Sequence, residues 1–262
     1  MFFEKEPMRY QSTTGLDPDR ITELVSRVRQ ARAGQGKGVG RPAALGLYRQ
    51  VELVLVLLRQ NTTQAAAADL FGVSQPTVSR VYRALRPVLE QVTSRHQPAV
   101  PEVFARRVVI VDGTDVPTGN RALGRQNYSG KRHRQGLNVQ IGADLGGMLR
   151  RCPTRCRARS TTVARSRAAA GNSRCTTVTG SPTPATGAPA RSPRPSAPGG
   201  CELSEDRKAD NATISALRSA VERAIAHWKN WKIVATGYRG RLTELPAVIS
   251  TITKLEFYRL GW

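Results

Sequence analysis

Fifty consecutive residues of this chain, Arg151 to Gly200, hold nine arginines and not one lysine, aspartate or glutamate. Within them the stretch SPTPATGAPARSP, Ser181 to Pro193, has no large apolar side chain. Such a run cannot bury enough surface to offset its ordering entropy, so it reads as disordered. Any core must therefore be assembled from the two flanks. All four cysteines, Cys152, Cys156, Cys175 and Cys201, lie in or beside this segment. They form no CxxC pair and have no nearby His pair, so neither a zinc site nor a disulfide framework is supported.

Charge narrows the partner. The 262 residues carry a formal net charge of +22 and a pI near 11.2, a balance that attracts polyanions, with nucleic acid first and a membrane surface second. No apolar run reaches the roughly 20 residues that cross a bilayer, and MFFEKEPMRY lacks a signal-peptide core, so the chain reads as cytoplasmic.

The N-terminal flank is helical. In GLDPDRITELVSRVRQAR, Asp17 suits an N-cap, Pro18 suits the first helical position, and Ile21, Leu24, Val25 and Val28 recur at helical spacing. LYRQVELVLVLLRQN is apolar on nearly every side, which fits a buried helix, although its β-branched content also suits a strand. Next, TTQAAAADLFGVSQPTVSRVYRALRPVLE carries Thr62 or Thr63 to cap a short helix, Gly72 to end it, and Ser74 to cap a second helix with Pro76 in its first turn. That is a helix-turn-helix outline, with Val73, Val78 and Val81 holding the pair together. In such a motif the start of the second helix enters the major groove, placing Gln75, Thr77 and Ser79 near bases or phosphates and Arg80 and Arg83 toward the backbone. A plain αα-hairpin has the same caps.

A change of character follows. Val108 to Val111 is too short an apolar run for a helix and reads as a strand delivering Asp112 at its tip, where Asp112-Gly113-Thr114 breaks it. In GLNVQIGADLGGMLR, Leu137, Val139 and Ile141 alternate with polar residues as in a strand. Between them NYSGKRHRQG is a hairpin-like basic loop whose Lys131, Arg132 and Arg134 suit phosphate contact, with His133 a solvated loop residue. Beyond the anomalous segment helical periodicity resumes: Leu217, Val221, Ala224, Ile225 and Trp228 share one face, and Glu222 lies beside it. Lys229 and Lys232 extend the basic track, and LPAVISTITKLEFYRL forms a last helix.

Together, GRPAAL, FGVSQPTVSRV, VDGTDVPT, NYSGKRHRQGLNVQ and VERAIAHWKNWKIVATGYR, in this order, resemble bacterial insertion-sequence transposases of the DDE superfamily, in the group that includes the harbinger-type enzymes. The resemblance implies an α/β chain. A helical DNA-binding region over residues 1–95 precedes an RNase H-like domain with a mixed sheet, made of residues 100–150 and 202–262 and interrupted by 151–200. It also implies that Asp112 and Glu222 are the first and third acidic residues of a triad binding two Mg²⁺ (or Mn²⁺) ions, and that terminal-repeat and target DNA are the partners. A homo-oligomer on DNA is left open. Two metal ions activate the attacking oxygen and stabilise the leaving one, and Mg²⁺ needs oxygen ligands gathered from separate elements.

The middle aspartate is missing. Relatives resemble ADTGYRGTGAITP where this chain reads PTPATGAPARSP. Moving the frame back one base turns the codons of Thr183 to Arg191 into ones that permit DTGYRGTGA. The same shift lets Cys152 to Thr162 encode VSDPVPGSIHD, similar to a Pro-Gly-Ser-x-His-Asp motif of the family. Residues 151–200 therefore read as translated out of frame, through loss of a base near codon 150 and a compensating gain near codon 200, the alternative being a native disordered basic linker. The chain is then either a working transposase with a substitute carboxylate or a DNA-binding remnant or regulator without catalysis, and loss of a metal-binding carboxylate favours the second. The gene sequence is expected to hold an Asp codon straddling those of Pro182 and Thr183; a stop codon in that frame would refute the slip.

Overall fold

The computed structural model describes residues 11–33, 43–97, 108–119, 127–129, 133–151, 162–164 and 205–261. Its first helices, α1 (Gln11–Thr14) and α2 (Pro18–Ala33), are joined by a glycine turn. Pro18 opens α2, and the amide of Ile21 donates to the Asp17 carbonyl at 2.9 Å. Ile21, Leu24, Val25 and Val28 are buried, as their spacing requires. Helix α3 (Leu47–Gln60) is buried continuously from Val51 to Leu58. Val51, Val54, Leu55 and Leu58 join the main core, while Leu53, Val56 and Leu57 join a smaller one. The chain folds as a helix there because apolar partners lie on both sides. One polar residue shares that burial: Glu52 accepts from Arg49 at 2.5 Å, and the Arg49 guanidinium lies 4.7 Å from the centre of the Phe71 ring.

The helix-turn-helix follows as α4 (Gln64–Phe71) and α5 (Gln75–Thr93). Thr63 caps α4 by accepting from the Ala66 amide at 3.2 Å, and Gly72, at φ +67°, ends it in a left-handed conformation open to glycine. Ser74 occupies the N-cap of α5, but its hydroxyl lies 3.0 Å from that of Thr77 and does not cap a backbone amide. Ala67, Ala68, Phe71 and Val78 close the smaller core against α3. Further along α5, Leu85 and Leu89 enter the main core.

The sheet comprises β1 (Val109–Pro117), β2 (Tyr128–Ser129), β3 (Arg134–Ala143), β4 (Leu149–Arg151) and β5 (Thr162–Ala164). Its order is β2-β3-β1-β5, with β4 also on β3, and every ladder among the described residues is antiparallel. Two expectations are corrected here. Asp112 does not stand at a strand tip. It lies in the middle of β1, because β3 pairs with every residue from Ile110 to Pro117 and the ladder carries the weak strand formers Asp112-Gly113-Thr114. Nor is the whole of 151–200 without structure. Arg151 ends β4, and Thr162–Ala164 pairs with Val109–Val111, since backbone hydrogen bonds along an open strand edge do not depend on which side chains supply them. The rest of that segment, the four cysteines and the side chain of Leu217 lie outside the described residues.

Three helices complete the α/β fold: α6 (Glu205–Lys229), α7 (Lys232–Ala235) and α8 (Leu245–Leu260). Ala220, Val221, Ala224 and Trp228 of α6 share the main core with Ile110, Val116, Val139 and Ile141 of the sheet. Trp228 donates to Thr253 at 3.3 Å, and Trp231 donates to Glu256 at 2.9 Å. Glu256 is 1% exposed, and Arg259 satisfies it with two further bonds of 3.0 and 2.5 Å. Buried carboxylates persist only when paired and hydrogen-bonded in this way.

Helix α6 is seated on the β3–β4 turn at Gly147, where φ is +81° and an added Cβ would lie 3.0 Å from the Ala220 carbonyl oxygen and 3.3 Å from Arg223 Cβ. Gly147→Ala combines left-handed strain with a backbone clash. It is expected to lower the unfolding free energy by about 1–3 kcal/mol, measured as a lower urea midpoint at unchanged slope.

Candidate DNA-binding and catalytic site

The sequence places the reading face on the first turns of α5. Gln75, Pro76, Arg80 and Arg83 are exposed and Ser79 is half-buried, so Gln75, Ser79 and Arg83, four residues apart, form one outward row with Arg80 beside it. Thr77 is half-buried on the flank of that row, its hydroxyl turned to Ser74. Arg80 bends back to the Pro76 carbonyl at 3.2 Å. The far half of α5 is held from below. Glu90 accepts from Ser250 at 2.6 Å, Lys254 at 3.0 Å and Thr251 at 3.3 Å, all on α8. Burial alone would raise the Glu90 carboxyl, but these donors hold it below its ordinary value.

The acidic residues sit on neighbouring elements. Asp112 is half-buried, and its Oδ1 accepts from the Gly113 amide at 2.7 Å. Strand pleating puts it on the side of Ile110 and Val116, the residues that share a core with α6. Glu222 is exposed on α6, one residue past buried Val221, and has no hydrogen-bond or ion-pair partner among the described residues. The structure thus packs the two carrier elements together and turns Glu222 outward. Asp115 faces the other side of β1, 3.3 Å from Arg134. At Gly136 an added Cβ would come within 1.8 Å of the Asp115 carboxylate, so only glycine leaves that carboxylate its place. Below the sheet end, Asp144 closes the β3–β4 turn by accepting from the Met148 amide at 2.8 Å and from Arg150 at 2.6 and 2.9 Å. Burial pushes its carboxyl up, and those bonds outweigh burial and hold it below the usual value.

Of the basic track, Lys131 and Arg132 lie outside the described residues. Arg134 is engaged with Asp115 yet still half exposed, and Lys229 is half-buried. Lys232 donates to Gln60 Oε1 at 2.8 Å, so it ties α7 to α3. Sequence reasoning missed a junction next to it. Asn61, at φ +51°, donates to Thr236 at 2.8 Å and to the Gly237 carbonyl at 3.0 Å, and its own carbonyl accepts from Arg239 at 2.6 Å. The Tyr238 amide then bonds Pro117 at the end of β1 at 2.8 Å. The only local signal was an Asn just after a helix, a common left-handed cap.

Comparison with known proteins matches this order of elements. Residues 44–95 match the family described as helix-turn-helix of DDE superfamily endonuclease, and residues 111–255 match the DDE superfamily endonuclease family itself. The chain is also 30% identical over 240 residues to a Streptomyces albus G protein assigned as the transposase for insertion sequence element IS112, covering 87% of this chain and 86% of that one. The chain belongs to the DDE superfamily of insertion-sequence transposases. No solved structure matches it.

Endonucleases of this superfamily use divalent metal ions. Whether the residues of this DDE-superfamily chain fit such ions can be judged from its donors. Among the described residues no group of three His, Cys, Asp or Glu side chains could hold a metal ion. Asp112 and Glu222 are two carboxylates where a two-ion centre needs more oxygen ligands, so the described donor set does not fit. The helix-turn-helix, by contrast, is intact and implies DNA binding, and among the described residues no helix is long and apolar enough to cross a membrane. Arg83→Ala is expected to weaken duplex binding about equally for all sequences and to reduce the slope of log affinity against log salt by about one, measured by fluorescence anisotropy across a salt series.

Proposed function

We propose that this polypeptide occupies the terminal repeats of an insertion sequence through α4 and α5 and does not cut DNA. One observation carries the reading. The match to the endonuclease family runs across residues 151–200, a segment without any acidic residue, where the family resemblance calls for the middle aspartate. Asp112 and Glu222 are the surviving catalytic carboxylates, and Mg²⁺ or Mn²⁺ would be the ion in an intact chain. When bound, such ions supply activation of the attacking oxygen and charge neutralisation at the scissile phosphate. Arg134, Lys229 and Lys232, with Lys131 and Arg132, form the track for the phosphate backbone.

That the segment replaces family sequence, and is not an inserted linker, is supported by the family match continuing to residue 255 beyond it. Shifting its frame changes composition without changing length, and a GC-rich gene misread in this way yields Arg, Ala, Pro, Thr and Ser. The alternative, cleavage through a substitute carboxylate, is not favoured, because no group of three such side chains that could hold a metal ion is found among the described residues.

The purified full chain is expected to retard a duplex carrying the element ends and to leave a supercoiled plasmid bearing them unnicked in Mg²⁺ or Mn²⁺. A frame-corrected chain should nick it, and Asp112→Ala or Glu222→Ala in that corrected chain should reduce nicking by about 10³-fold or more. Metal-dependent nicking by the uncorrected chain would overturn the reading.

A further inference from the structure

Two glutamines clasp each other at the mouth of the helix-turn-helix. Gln64 is the first residue of α4 and Gln75 the first of α5. Across the turn, Gln75 Nε2 donates to Gln64 Oε1 at 2.6 Å. Gln75 is exposed at the start of the outward row, and Gln64 is half-buried beside it. A free glutamine on a helix end samples many rotamers, and ordering it on binding costs entropy. Here that ordering is already in place. Pro76 and the Ser74–Thr77 hydroxyl contact further hold the first turn from which Gln75 projects.

The chemistry left over is specific. A primary amide has two N–H donors and one carbonyl acceptor. With one N–H spent on Gln64, Gln75 keeps one donor and one acceptor side by side. In the major groove adenine alone shows an adjacent acceptor and donor on a single base, N7 and N6–H, whereas guanine shows two acceptors. Gln64 keeps its own amide N–H groups, suited to a backbone phosphate at the entry of the first helix.

We infer that the Gln64–Gln75 pair is a base-reading unit that selects adenine in the major groove, with Gln75 touching the base and Gln64 acting as the positioning residue. The inference rests on the proposed DNA-binding role and adds the base identity and the second glutamine.

Selection of duplexes from a randomised pool by the full chain is expected to return one position that requires adenine. Replacing it with 7-deazaadenine, which lacks the N7 acceptor, should weaken binding roughly tenfold or more. Gln75→Ala should make all four bases equivalent at that position within about twofold and leave the other positions unchanged. Gln64→Ala should relax the preference although Gln75 remains. Gln64→Glu keeps an acceptor for the Gln75 amide, so it should lower affinity for every sequence by charge repulsion yet preserve the adenine preference. Both side chains lie at the surface, and unchanged circular dichroism and melting would confirm that the variants fold.

A preference that survives Gln75→Ala, or one untouched by Gln64→Ala, overturns the inference. So does loss of the preference in Gln64→Glu, or selection of guanine, since either means that Gln64 is the donor in the clasp. Binding to duplex DNA without any adenine position removes this inference alone. Failure to bind any duplex removes the proposed function together with it.

Discussion

Helix α3 is the wall on which both halves of the molecule lean. Its residues from Val51 to Leu58 are buried all round because one side packs on α2, α5 and the C-terminal helices while the other packs on α4 and the start of α5. A helix without a polar face has no stable solvent-exposed position, so it forces elements onto both sides. Its one buried acid, Glu52, is tolerated because Arg49 pairs with it and then stacks on Phe71 of α4. Through α3 the DNA-reading hairpin is part of the same packed body as the sheet.

Helix α5 extends that logic. Its beginning presents a solvent-facing row of side chains, and its later half buries Leu85 and Leu89 and ties Glu90 to α8. The Asn61 junction adds a second connection, running from the end of α3 through Thr236, Gly237 and Arg239 to the end of β1. Helix α3, on which the helix-turn-helix packs, and the strand that carries Asp112 are therefore linked by hydrogen bonds as well as by packing.

The arginine-rich segment shows how little a strand pairing asks of side chains. Strands β1 and β3 are long, fully paired and covered on one side by α6, and these contacts come from the flanks. Thr162–Ala164 still finds the edge of β1, since a strand edge accepts any chain that can present alternating amide and carbonyl groups. A metal centre has no such tolerance. A ladder needs a backbone, but an ion needs a carboxylate at one place, and a segment without acidic side chains can supply the first and not the second.

The sequence by itself determined the elements whose signals are local: the apolar stripe of α2, the caps and glycine of the helix-turn-helix, the alternation in β3, the face of α6 and the charge that points to nucleic acid. It also displayed the lack of any acidic residue over 151–200, because composition is a property of the string alone. Tertiary structure decided the rest. Only strand pairing placed Asp112 inside a strand instead of at its tip. Only packing turned Glu222 to solvent, engaged Arg134 with Asp115 and Lys232 with Gln60, and brought Gln64 onto Gln75 across eleven positions. The physical reason is range. Caps and periodicity act within a turn or two of the chain, whereas the direction of a side chain depends on neighbours that arrive from far along it.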